Sequence, residues 1–178
     1  MLNIINNLKP FFEDCYLELG VREYSRIVGV SPPTASKLLK GFVDEELLKM
    51  RSERGYLLFR ANRESEILRD LSKVYWRGRL KSLGFIEFLN SEYNYPVIVL
   101  FGSLSKLEVH KDSDFDLVVF FGEGKERKKG KREELNLDKF EKKLGRKIQL
   151  FKFNSLKDVG EDLKRNILNG YIIQGELK

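Results

Sequence analysis

The sequence predicts an α+β fold in which a helical N-terminal domain with a small hairpin precedes a C-terminal domain of mixed α/β structure. Helix-spaced apolar residues fill the first part of the chain and end at two strand-like runs around RSERG. The second half alternates β-branched runs, such as PVIVLF and LVVFF, with helical segments. A hydrophobic content of 42% in 178 residues is enough for packed cores. We predict domains at 1–62 and 93–178, joined by a helical connector at 63–92.

Composition excludes several classes of protein. The net charge is +6 and the pI is near 9.3, a mild basic excess that suits nucleotide or nucleic-acid partners. The single cysteine, Cys15, and the single histidine, His110, exclude an intrachain disulfide and a Cys/His zinc site. No run of apolar residues is long enough to span a membrane, and the N-terminus lacks the features of a signal peptide. We therefore expect a cytoplasmic protein without a membrane partner.

Three helices are predicted before the hairpin. Leu2 to Leu17 has helical apolar spacing with a kink or break at Pro10, and Val21 to Val28 forms a second, short helix. Ser31 is the N-cap residue of a third helix that runs from Thr34 to about Phe42. The polar face of this third helix consists of Thr34, Ser36, Lys37 and Lys40. The runs LLKM and YLLFR follow as a hairpin with Arg51 and Arg54 at its tip.

This order of elements, from VREYSRIVGVSPPTASKLLKGF to the RSERG hairpin, resembles a winged helix-turn-helix domain. The resemblance implies binding to double-stranded DNA, with the third helix in the major groove and the basic hairpin along the phosphates. The residues expected to contact DNA are Thr34, Ser36, Lys37, Lys40, Arg51 and Arg54. Two alternatives stay open: a helical packing module whose lysines are solvated, and a module that binds a protein partner.

The connector carries an apolar stripe at helical spacing. Its members are Ile67, Leu68, Leu71, Val74 and Tyr75. A helix of this kind must bury its stripe against the hairpin, the second domain or a second copy of the chain, so a homodimer is one of three expectations.

Two predicted strands frame the residues with the strongest chemical signal. Pro96 to Phe101 ends at Gly102 and Ser103, and Leu117 to Phe121 begins just after Asp114 and Asp116. Side chains two apart on a strand share a face, so these carboxylates emerge side by side. Their proximity calls for a hard cation, Mg²⁺ or Mn²⁺, which commonly binds together with phosphates. Glycine before serine lets the backbone approach such a phosphate closely.

The segment GSLSKLEVHKDSDFDLVVF is similar to the DNA polymerase β-like nucleotidyltransferases, and most of all to the minimal nucleotidyltransferases of archaea and bacteria. The resemblance implies that Asp114 and Asp116 hold divalent metal as the catalytic carboxylates. It also implies that Gly102 and Ser103 hold the triphosphate of an NTP, with ATP favoured. The closing sequence DLKRNILNGYIIQGE extends the likeness toward the C-terminus.

The remaining elements follow from the same patterns. A basic run from Gly124 to Arg132 is either a solvated loop or an arm that contacts phosphate or RNA. The predicted elements after it are a helix from Leu135 to Leu144 capped by Gly145, a strand from Lys147 to Phe153, a helix from Ser155 to Leu168 and a final strand from Tyr171 to Ile173.

Two residues depart from the family pattern. Gln149 falls on the strand where active members place a third carboxylate, and an amide cannot accept a proton. Leu107 stands where many relatives have glycine. The sequence therefore leaves three functions open: a metal-dependent nucleotidyltransferase, a DNA-binding regulator whose second domain binds nucleotide without turnover, and an interaction scaffold.

Overall fold

The N-terminal helices begin and end close to the predicted residues. The computed structural model describes residues 2–122 and 135–177, and its first three helices are α1 (Leu2–Glu13), α2 (Val21–Val28) and α3 (Pro32–Asp44). α1 continues through Pro10 and ends at Glu13. The Ser31 side chain caps α3 by accepting a hydrogen bond from the Thr34 backbone N–H at 3.4 Å, and proline occupies the first turn, where no backbone donor is needed.

A small antiparallel sheet accompanies these helices. Its strands are β1 (Leu19–Gly20), β2 (Leu48–Glu53) and β3 (Tyr56–Ala61), in the order β1-β3-β2. β1 was not predicted, because two residues are too short for any periodicity. The hairpin turn is Arg54–Gly55, and both residues have positive φ. The prediction that Arg51 lies at the tip is wrong: it is part of β2 and opposes Leu58, since pairing continues to Glu53 and Tyr56.

The predicted connector contains two helices, α4 (Glu66–Ser82) and α5 (Phe85–Tyr93), separated at Gly84. The apolar stripe of α4 is divided between two environments. Leu68 and Tyr75 are buried, whereas Ile67 and Val74 are exposed. Packing within the chain therefore accounts for only part of the stripe.

The C-terminal elements form a four-stranded sheet with short helices. They are β4 (Val97–Phe101), α6 (Ser103–Lys106), β5 (Phe115–Phe120), α7 (Asp138–Leu144), β6 (Ile148–Phe153), a 3₁₀ turn (Leu156–Asp158), α8 (Glu161–Leu168) and β7 (Tyr171–Gln174). The strand order is β6-β5-β4-β7, with β5 and β6 parallel and the other pairs antiparallel. Gly145 ends α7 in the left-handed conformation, which confirms the predicted cap. The helix predicted from Ser155 is split, because Gly160 lies between the 3₁₀ turn and α8.

The core of this sheet explains why its two central strands are apolar. On one face, Val99 and Phe101 of β4 pack with Val118 and Phe120 of β5 and with Ile167 of α8. The opposite faces of β4 and β5 are also buried, so both strands read as continuous hydrophobic runs. The sheet therefore provides a rigid base for the polar residues at its edge.

The chain forms two structural units. The N-terminal unit contains the residues up to Tyr75 together with Leu107–Lys111, and the C-terminal unit contains Trp76–Lys106 and the residues from Asp112 onward. The α+β class is confirmed. The basic run from Gly124 to Arg132 lies outside the described residues. In the described part of the chain, no helix is both long enough and apolar enough to cross a lipid bilayer.

Candidate functional site

The site is at the end of β4 and the start of β5, where Gly102 faces Asp116. Phe101 pairs with Asp116 in the antiparallel register, so Gly102 is the first residue beyond the paired strand. Gly102 has φ +69°, and a Cβ at this position would overlap the Oδ2 atom of Asp116. Only glycine allows both this backbone conformation and this close approach of a carboxylate.

Asp116 is the second residue of β5 and Asp114 immediately precedes that strand, two residues away, close enough for its charge to act on Asp116. Both side chains are partly buried. The pKa of Asp116 is raised, first by burial and second by the negative charge of Asp114. Among the described residues, no lysine or arginine forms an ion pair with either carboxylate. The two like charges therefore repel each other, and Lys147 acts on Asp114 only electrostatically, without an ion pair.

Gln149 lies beside this pair on β6. It pairs with Asp116 in the parallel register, and its Nε2 atom donates a hydrogen bond of 2.7 Å to Oδ2 of Asp114. The amide therefore orients one carboxylate and occupies one of its lone pairs. As a neutral group, Gln149 cannot take a proton from a substrate hydroxyl.

The start of β5 is held by groups that the sequence did not reveal. The Nη1 atom of Arg146 donates to the backbone oxygen of Ser113 at 2.7 Å, and its guanidinium lies 5.3 Å from the Trp76 ring centroid. Trp76 in turn meets the ring of Phe115 edge-on, with centroids 5.1 Å apart. These contacts fix the backbone on both sides of Asp114. Trp76 is buried, and its arginine partner has no local sequence signal.

Glu141 supports the neighbouring strand. Its Oε1 atom accepts a hydrogen bond from the Ile148 backbone N–H at 2.9 Å, and its Oε2 atom accepts one from Lys147 Nζ at 2.8 Å. The lysine first, and then the backbone N–H, lower the pKa of Glu141. The Glu141 carboxylate therefore stabilises the start of β6 and is not a third member of the Asp114–Asp116 pair.

The Gly102–Ser103 turn leads directly into α6. Ser103 is partly buried and is the first residue of that helix. The hydroxyl of Ser105 donates to the Gly102 carbonyl at 2.9 Å and fixes the turn. Leu107 then adopts φ +58°, a conformation that costs a side chain roughly 1 kcal/mol or more. The position at which many relatives have glycine thus has a backbone suited to glycine, although it carries leucine.

The residues at this edge suit a divalent cation held by two carboxylates. Asp114 and Asp116 would supply oxygen ligands, and their mutual repulsion would be relieved by the ion. In the described part of the chain, no group of three or more His, Cys, Asp or Glu side chains is placed to hold a metal. The two carboxylates alone would leave most coordination positions of such an ion to other ligands.

The candidate DNA-contacting residues of α3 differ in how free they are. Lys37 and Lys40 are exposed, and Ser36 is partly buried. The Thr34 hydroxyl lies 2.9 Å from the Ser31 hydroxyl and belongs to the helix cap. The helix therefore presents its two lysines more freely than its threonine.

The hairpin arginines also differ. Arg51 binds Glu18, with 2.9 Å between Nε and Oε1, and its Nη1 atom lies 2.6 Å from Glu53 Oε2. Arg54 is exposed at the turn, and among the described residues it has no hydrogen-bond or ion-pair partner. Of Arg51 and Arg54, Arg54 is the one presented to solvent without an ion-pair partner among the described residues.

Comparison with known families agrees with the geometry of the strand edge. The model of the family described as "Polymerase beta, Nucleotidyltransferase" matches residues 85–175, which include the Gly102–Ser103 turn, both aspartates and Gln149. The chain belongs to this nucleotidyltransferase family. No match was found among curated proteins or among solved structures.

Proposed function

We propose that the chain is a metal-dependent nucleotidyltransferase that transfers a nucleoside monophosphate from an NTP, with ATP favoured, to a hydroxyl acceptor. The observation that carries this proposal is the partly buried pair Asp114–Asp116, in which neither carboxylate forms an ion pair with a described residue and Asp116 lies against Gly102. Membership of the nucleotidyltransferase family supports the reaction class.

In this proposal the chain positions the reactants. Asp114 and Asp116 would hold Mg²⁺ or Mn²⁺, which neutralises charge on the triphosphate. Gly102 leaves room for a phosphate close to the backbone, and the Ser103 hydroxyl is available to hydrogen-bond it. The acceptor oxygen attacks the α-phosphorus and the bond to pyrophosphate breaks. The hydroxyl proton passes to solvent, since Gln149 has no basic site.

Nucleotide binding through the metal is tested by titration calorimetry with ATP. Mg²⁺ should raise the affinity of the wild-type protein, because the ion bridges phosphate and carboxylate. Asp116→Ala should lose this increase, whereas Asp112→Ala, which removes an exposed carboxylate outside the pair, should keep it. Equal ATP affinity of wild type and Asp116→Ala in the presence of metal would remove the site from this proposal.

A second candidate function is favoured by Gln149. General-base assistance is worth roughly 10²–10⁴ in rate, and this amide cannot provide it. The chain would then bind NTP with Mg²⁺ and transfer nucleotide slowly or not at all, so that the C-terminal unit acts as a nucleotide sensor. The hydrogen bond from Gln149 to Asp114 supports this alternative, because it consumes a lone pair on a metal-ligand candidate.

Turnover separates the two candidates. We would measure pyrophosphate release and label transfer from α-labelled ATP to candidate acceptors. For a sensor, Gln149→Asp should gain activity or tighten metal binding, because it restores an anionic ligand beside the pair. Fast transfer by the wild type, abolished by Asp114→Ala, would instead establish the enzyme.

We also propose that the N-terminal unit is a winged helix-turn-helix domain that binds double-stranded DNA. The helices α2 and α3 followed by the β2–β3 hairpin support this, as do the exposed lysines Lys37 and Lys40. Mobility shifts at rising salt should show weakening by counterion release, and Lys37→Ala/Lys40→Ala should weaken binding further. Absence of binding to fragments from the region of its own gene would favour a protein-interaction scaffold, in which a homodimer through α4 is one arrangement.

A further inference from the structure

The N-terminal unit contains a second concave site, distinct from the pair on β5. A cavity of about 320 Å³ opens beside the small sheet, and its charged and aromatic lining consists of Tyr16, Lys49, Arg60, Arg63 and Glu64. The buried Cys15 also lines it. This volume lies at the lower end of the range for ligand pockets, roughly 300–1,000 Å³. The site is therefore large enough for a small polar ligand.

The charge of the cavity is strongly positive. Lys49 and Arg60 are direct cross-strand partners in the β2–β3 register, a placement in which like charges repel each other. Lys49 is paired with Glu64. Arg60 is exposed and, within residues 2–122 and 135–177, makes no hydrogen bond or ion pair. Among the charged residues that line the cavity, three cations accompany one carboxylate, an arrangement that a bound anion would stabilise.

The third cation is held in place by aromatic stacking. The Arg63 guanidinium lies 4.3 Å from the Tyr16 ring centroid. The Tyr16 ring also stacks on the His110 ring, with an interplanar angle of 5° and ring centroids 4.0 Å apart. A stacked guanidinium keeps its N–H groups free to bind an anion in the plane of the group. Arg63 is consequently a preorganised donor rather than a mobile surface arginine.

We propose that Lys49, Arg60 and Arg63 form a binding site for a phosphate group. Guanidinium groups match phosphate geometry with paired N–H donors, which favours phosphate over a simple inorganic anion such as chloride. The phosphate could belong to a free nucleotide or to the backbone of a nucleic acid, since the recognised chemistry is the same. This site does not depend on Asp114, Asp116 or a metal.

The test uses the full chain in EDTA and in the Asp116→Asn background, so that the proposed nucleotidyl-transfer site does not contribute. Pyrophosphate, ADP and a short DNA duplex are titrated separately by calorimetry. The test variant is Arg60→Gln/Arg63→Gln. The matched control is Arg22→Gln/Arg26→Gln, which removes two exposed arginines of α2 from the same unit. Circular dichroism establishes that each variant is folded, and Arg60→Lys provides a milder second variant.

The test variant should lose about tenfold or more in affinity for at least one of these ligands. The reason is that charge-assisted hydrogen bonds, which the variant removes, are stronger than hydrogen bonds between neutral groups. The control should bind as the wild type does. Dependence seen with pyrophosphate and ADP alone identifies a nucleotide site, and dependence seen with the duplex alone identifies a nucleic-acid contact. Absence of binding, equal binding by the test variant, or an equal loss in the control would each overturn the proposal.

Discussion

Charge is balanced around Arg51 of the hairpin and unbalanced at the edge of the C-terminal sheet. On the hairpin, Arg51 lies between Glu18 and Glu53, each within hydrogen-bonding distance. At the sheet edge, Asp114 and Asp116 share one face, and the only group that hydrogen-bonds either carboxylate among the described residues is the neutral amide of Gln149. Carboxylates beside Arg51 are therefore ion-paired, whereas the two carboxylates at the sheet edge repel each other.

The pKa shifts make the difference explicit. The hydrogen bond from Arg51 lowers the pKa of Glu18, so folding favours the charged form there. Burial and the charge of Asp114 raise the pKa of Asp116, so folding disfavours the charged form. The charges of Arg51, Glu18 and Glu53 stabilise one another, so this network does not require a bound ion. The raised pKa of Asp116 beside a second carboxylate is an arrangement that a bound cation would stabilise.

The largest effect is expected from Gly102→Ala. The new methyl group would overlap Oδ2 of Asp116 and would also require a left-handed alanine. We expect NTP affinity with Mg²⁺ to fall by about 100-fold or more, since displacement of one carboxylate disturbs the whole site. The free energy of unfolding should fall by at least the roughly 1–2 kcal/mol of backbone strain. Calorimetry and chemical denaturation measure the two changes.

Gly145→Ala is the matched control for this change. Gly145 has φ +71°, nearly the φ of Gly102, but a Cβ there would meet no atom within 4 Å. The control should show the same strain and keep its NTP affinity. Full NTP affinity in Gly102→Ala would mean that Asp116 does not need its present position.

A smaller effect, of opposite sign for stability, is expected from Asp116→Asn. The neutral amide removes the repulsion with Asp114, so the free energy of unfolding at neutral pH should rise, by less than about 1 kcal/mol after solvent screening. Because folding raises the pKa of Asp116, the wild type is penalised above the ordinary value of 3.8, and this penalty disappears as the pH falls to that value. Urea denaturation at neutral and acidic pH should show the gain only at the higher pH. A variant less stable than the wild type at neutral pH would contradict the proposed repulsion.

The local geometry of this sheet edge was predictable because its parts are close together in the sequence. A glycine after an apolar strand and two aspartates two residues apart at the next strand define a turn and a face by periodicity alone. Gln149 was placed at this edge by the resemblance to the family, and the parallel register of β5 and β6 pairs it with Asp116.

Other features depend on contacts between residues far apart in sequence. β1 exists only because Leu19 and Gly20 pair with β3. The hydrogen bond from Gln149 to Asp114 and that from Arg146 to the Ser113 backbone both need the folded sheet. The same is true of Arg51, which was assigned to the hairpin tip by its sequence neighbours but is held by Glu18, a residue before β1.

The smallest effect is expected where charge is already balanced. Arg51→Gln should lower thermal stability slightly, and the loss should shrink with added salt because the pair with Glu18 is solvent-accessible. Arg54→Gln should leave thermal stability unchanged, since Arg54 has no ion-pair partner among the described residues. Thermal unfolding at low and high salt provides the measurement.

For DNA binding by the proposed winged helix-turn-helix domain, the order of the two arginines should reverse. Arg54 is free to meet a phosphate, so Arg54→Gln should weaken binding and reduce the slope of log affinity against log salt by about one. Arg51 must first release two carboxylates, so Arg51→Gln should change the slope less. Equal changes in both variants, in stability or in salt slope, would show that the carboxylates around Arg51 do not hold it. The contrast in charge balance between Arg51 and the sheet edge would then be smaller than the geometry indicates.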